Sequence, residues 1–134
     1  NDKWLRTVKI EYHYTEPDSE YSALVKRFKD WVRVYAPVGS ELVSVEGSEA
    51  PAYNLSDQER NKIWFSGYLE LGPGESKEII FKYHIPAEAV GTDAYKLNIQ
   101  KQAGIDKEKH TVTYGNETKE IELSKDTVVE IKKQ

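Results

Sequence analysis

Apolar side chains recur at every second position through most of this 134-residue chain, and alternation of that period marks β-strands with one buried face. In Leu5–Tyr14, Val8, Ile10, Tyr12 and Tyr14 share one face, while Thr7, Lys9, Glu11 and His13 share the other. Asp30–Ala36 repeats the pattern, and Pro37-Val38-Gly39-Ser40 turns it into a further strand over Glu41–Glu46. Lys62–Leu71 aligns Ile63, Phe65, Gly67 and Leu69, and Lys77–Ile85 aligns Ile79, Phe81, Tyr83 and Ile85. Between those two runs stands Gly72-Pro73-Gly74-Glu75-Ser76; Pro73 presets one dihedral and Gly74 admits a positive one, which predicts a β-hairpin over Leu69–Pro86. Ala94–Gln102, Lys109–Tyr114, Lys119–Leu123 and Thr127–Ile131 continue the series, with a tight turn at Gly115-Asn116. Gly47–Arg60 reads as a polar loop. Tyr21–Phe28 departs from the period: Leu24, Val25 and Phe28 fall at helical spacing behind Ser22, which predicts one short helix.

About eight or nine short strands with frequent turns predict an all-β chain. The architecture expected is an immunoglobulin-like antiparallel β-sandwich, formed as a single domain over residues 1–134. Phe65, Phe81, Leu97 and Ile99 are its expected core, with Val32 and Val34 facing them.

Composition narrows the chemistry. Charged residues make up 31% and the net charge is −4, with no basic cluster to neutralise a run of phosphates, so nucleic acid is not an expected partner. No apolar run approaches the length of a membrane span, so direct insertion of this chain into a bilayer is not expected either. The absence of cysteine removes disulfides, thiolate catalysis and thiolate zinc sites together. The chain starts at Asn1 without methionine or signal peptide, which suggests a piece of a larger protein whose anchor lies elsewhere.

Candidate catalytic groups reduce to ordinary surface residues. His13, His84 and His110 have no mutual spacing suited to a metal. Asp57 with Glu59, or Asp106 with Glu108, would offer carboxylates to a loop calcium, yet neither follows a calcium-loop motif. Ser66 and Ser76 lack the glycine-framed elbow that exposes a nucleophile. Asn54-Leu55-Ser56 and Asn116-Glu117-Thr118 satisfy the glycosylation sequon, a short pattern that carries almost no weight by itself. No catalytic residue, metal or cofactor is expected.

The aromatic residues are more telling. With Val32, Val34 and Ala36 turned inward, Trp31, Arg33 and Tyr35 point outward; with Ile63, Phe65 and Leu69 inward, Trp64 and Tyr68 point outward as well. Grouped amphipathic rings on a face assigned to water mark a contact surface. The competing expectation is that they are covered, either by the Tyr21–Phe28 segment or by burial of both faces of that sheet. If the surface is free, it docks a neighbouring domain or another surface protein. Alternatively it stacks a sugar, with Arg33, Glu70, Asn98 and Gln100 as polar neighbours.

Four stretches, Trp31–Gly47, Phe65–Pro86, Tyr95–Gly104 and Glu122–Ile131, together resemble the extracellular C-terminal part of a bacterial membrane-anchored envelope family of unknown function. The start of the first stretch (VRVYAPVGS) and the run IQKQAG are its most specific parts. The resemblance implies a cell-surface location and an accessory, non-catalytic role as spacer, adhesion or protein-contact module, and it transfers no site residues.

Overall fold

The computed structural model describes residues 2–15, 26–57 (backbone only for 53–57), 61–91, 93–104 and 106–132. Every strand pairing among these residues is antiparallel, and the chain forms two compact units, residues 1–87 and 88–134.

The first unit holds β1 (Lys3–His13), β2 (Phe28–Pro37), β3 (Glu41–Glu46), β4 (Tyr53–Asp57), β5 (Lys62–Leu71) and β6 (Ser76–Pro86). They form two three-stranded sheets, ordered β1-β6-β3 and β2-β5-β4. The sheets face one another through the residues that alternation assigns inward. Phe65, Leu69, Ile79, Phe81 and Tyr83 are fully buried, and the Phe65 and Tyr83 rings lie 5.1 Å apart across the layer. At Gly67 the layers come closest. A Cβ there would stand 2.4 Å from Ile79 Cδ1 and 3.3 Å from Val45 Cγ1, so glycine is what lets β5 approach β6 and β3. The β-sandwich expected from the sequence is therefore present in this unit.

A 3₁₀ turn, Ala87–Ala89, spans the boundary, and the second unit then holds β7 (Ala94–Ile99), β8 (Glu108–Tyr114), β9 (Glu117–Leu123) and β10 (Thr127–Lys132). Its two ladders, β10-β7 and β8-β9, share a core of Val112, Val129 and Ile131. Tyr95, Leu97, Ile99, Tyr114 and Ile121 pack on that core, and the Tyr95 and Tyr114 rings stack 5.1 Å apart. Leu97 and Ile99 thus belong to this cluster, whereas Phe65 and Phe81 lie in the first unit.

Two local expectations are corrected, and a third falls largely outside the described residues. The Gly72–Glu75 turn exists: Glu75 N–H donates to the Gly72 carbonyl at 3.1 Å and Gly74 has φ +76°, as the third residue of a type II turn requires. It is not a hairpin, because β5 pairs with β2 and β4 while β6 pairs with β1 and β3. The turn carries the chain from one sheet to the other. The polar loop over Gly47–Arg60 contains β4, which pairs with β5 from Tyr53↔Ser66 to Asp57↔Lys62. The short helix expected at Tyr21–Phe28 lies largely outside the described residues; its last residue, Phe28, opens β2 and packs near the Tyr12 and Tyr14 rings.

Candidate functional site

The two sheets of the first unit present contrasting outer faces. On the β1-β6-β3 sheet, charge answers charge across the strands: Lys3 meets Glu41 at 2.8 Å, Lys9 meets Glu78 at 2.5 Å and Lys82 meets Glu46 at 2.7 Å. His13 contacts Ser76 at the end of the same ladder. This is a solvated face, and its exposed ion pairs add little stability.

The β2–β5 ladder carries the aromatic residues. Its register sets Trp31 opposite Tyr68, Arg33 opposite Ser66 and Tyr35 opposite Trp64. Directly opposed residues on one face of a ladder are close neighbours, so all five residues expected from alternation come together. The Trp31 and Tyr68 rings lie 4.9 Å apart with their planes tilted by 40°. The Arg33 guanidinium lies over the Trp64 ring, 4.5 Å from its centroid, a cation–π contact between diagonal neighbours. Exposure is graded along the strip. Trp31 is 51% exposed and Arg33 is exposed, whereas Tyr35, Trp64 and Tyr68 are half-buried. Ser66, beneath them, is only 2% exposed, and its hydroxyl finds no partner among the described residues.

One end of the strip is closed by charge that alternation did not reveal. The Tyr68 hydroxyl donates to Glu70 Oε1 at 2.6 Å, and Arg27 and Lys29 approach the same carboxylate at 3.3 and 3.6 Å. The β5 edge at this point is held by neighbouring loop residues: Tyr68 N–H donates to Ser48 Oγ, and Glu49 N–H donates to the Tyr68 carbonyl. The Tyr68 hydrogen bond, with Lys29 and Arg27 behind it, holds the Glu70 carboxyl below its usual 4.5, and the same bond pushes the Tyr68 phenol upward.

A carboxyl depressed in the folded state stabilises above its unfolded value and loses that contribution as pH falls through its folded one. Glu41 and Glu49, paired with Lys3 and Lys77, are shifted in the same direction. Stability is therefore expected to decline below pH 4.5, and Glu70→Gln should flatten that decline. Denaturation midpoints measured between pH 3 and pH 7 check this; an acid limb unchanged by Glu70→Gln would show that the Tyr68–Glu70 pair does not contribute.

The remaining candidates are occupied by structure. Glu108 accepts from the Gln102 amide at 2.7 Å and meets His110 at 3.0 Å, so it fastens a loop. Among the described residues no three histidines or carboxylates form a group able to hold a metal. The Asp57–Glu59 pair and the sequon at Asn54 fall outside what the structure describes in side-chain detail. Asn98 and Gln100 belong to the second unit; within the first unit the polar groups described on the strip are Arg33, Lys29, Glu70 and the Tyr68 hydroxyl.

No protein family model, curated protein or solved structure matches the chain.

Proposed function

We propose that this chain is a non-catalytic, extracellular β module of a bacterial cell-surface protein, held at the envelope by a segment outside this sequence. Its work is spacing and contact, and the contact face is the outer side of β2–β5. The observation that carries the reading is the difference between the two outer faces of one sandwich. One is laced with cross-strand ion pairs, and the other gathers four aromatic rings and an arginine, with Trp31 half exposed. Rings of this kind supply large contact area at low entropic cost, and aromatic and arginine side chains dominate binding energy where surfaces meet. The envelope location is supported by the sequence resemblance in Trp31–Gly47 and Tyr95–Gly104.

Photocrosslinking in intact cells tests the contact face. A benzophenone side chain is placed at position 31 of the full-length parent protein and, as a control on the opposite face, at position 80. The expected result is a covalent adduct to another macromolecule from position 31 and none from position 80. Equal labelling from both positions, or none from position 31, would remove the face from the account.

A further inference from the structure

Arg33 differs from the charges around it. Lys29 is paired with Glu70 on the same face. On the other sheet Lys3, Lys9 and Lys82 all have carboxylates. Arg33 makes no ion pair or hydrogen bond among the described residues; its guanidinium lies flat on Trp64, midway along the strip. A guanidinium stacked by its face keeps its N–H groups at the edge, where they match the two oxygens of a carboxylate. Trp31, next but one along β2 and half exposed, offers an apolar ring surface beside it.

The dimensions of the strip select the occupant. From Trp31 to Tyr35 the strand advances about 13 Å, and the three strands of the sheet are roughly 15 Å wide, which gives a footprint of roughly 200 Å². A stable protein interface takes about 800 Å² from each partner. A strip of this size, bearing rings and an arginine with no ion pair among the described residues, matches a short chain of acidic sugars. Resting on the contact-face reading above, we infer that the β2–β5 face binds an acidic glycan, a carboxylate-bearing pyranose stacking on Trp31 with its carboxylate on Arg33.

The test titrates the whole chain with trigalacturonate, with its methyl ester and with poly-glutamate, by tryptophan fluorescence and calorimetry. Trigalacturonate is expected to saturate, and the ester to bind at least tenfold more weakly. Arg33→Gln should weaken the acid at least tenfold, to the level of the ester. Trp31→Leu, which keeps apolar bulk without the flat ring, should weaken both sugars at least tenfold. Both side chains are exposed, and circular dichroism verifies that the variants fold. Equal affinity for acid and ester, an Arg33→Gln variant that binds like the parent, or no saturation by either sugar would overturn the inference. Binding of poly-glutamate in place of the sugars would overturn it in favour of an acidic protein. If position 31 still crosslinks while no sugar binds, the contact face stands and the glycan does not.

Discussion

Phe81→Ala is expected to destabilise the protein by about 3–5 kcal/mol, the range for a fully buried phenylalanine when lost transfer energy and the residual cavity add together. Phe81 has no exposed surface. It sits on the central strand of its sheet, registered with Val8 of β1 on one side and Val45 of β3 on the other. Across the layer its ring edge reaches the β5 backbone at Gly67, where the glycine leaves little room between strands. Strands fixed on both sides cannot collapse into the space a ring vacates, which places the cost in the upper part of the range. Equilibrium denaturation in urea measures it. A loss below about 1 kcal/mol would mean that Phe81 is not between the sheets, since only surface changes are that small.

Gly47→Ala is the second large effect, for a different reason. Gly47 follows β3 directly and has φ +80°, a region where a side chain is strained. A Cβ would also fall 2.1 Å from the Glu78 carbonyl oxygen, and that atom belongs to the backbone of β6. A flexible side chain could turn aside; a laddered carbonyl in the middle of a sheet cannot. The strain of the dihedral and the displacement of β6 together should cost about 2–4 kcal/mol. The same denaturation series measures this, and an unchanged midpoint would place Gly47 away from β6.

How much of this was legible follows from which forces act locally. Ile79, Phe81, Tyr83 and Ile85 were readable because a single buried face imposes its period directly on the sequence. Tyr53–Asp57 was not, because Asn54 and Asp57 disfavour strands and Pro51 precedes them. That strand exists through its pairing with β5, which only the tertiary structure supplies. The reading of Leu69–Pro86 failed on partner choice. Tight hairpins favour type I′ and II′ turns, whose first central residue needs a positive φ. Pro73 holds that position and is locked negative, so the residues themselves already disfavoured a two-residue hairpin there. Gly115, with φ +58° between the paired Tyr114 and Glu117, shows the contrasting case of a true hairpin.

The candidate site divides in the same way. Alternation placed Trp31, Arg33, Tyr35, Trp64 and Tyr68 on one face, and the β2–β5 register brought them into opposed pairs. What alternation does not carry is the third dimension of the face. That Arg33 lies over Trp64, that Ser66 is sealed beneath, and that Glu70 gathers Tyr68, Lys29 and Arg27 depend on diagonal neighbours and on the loop at Ser48.

The central claim is that the outer side of β2–β5 is a surface and not a second core, and Trp31→Ala tests it most directly beside Phe81→Ala in one denaturation series. Trp31 is already half exposed to water, and its ring meets the tilted Tyr68 ring. An aromatic pair contributes about 0.5–1.5 kcal/mol beyond its burial. The account predicts a loss of about 1–2 kcal/mol for Trp31→Ala, well short of the loss for Phe81→Ala. A loss of about 3–5 kcal/mol, equal to that of the buried ring, would make Trp31 a core residue and contradict the account.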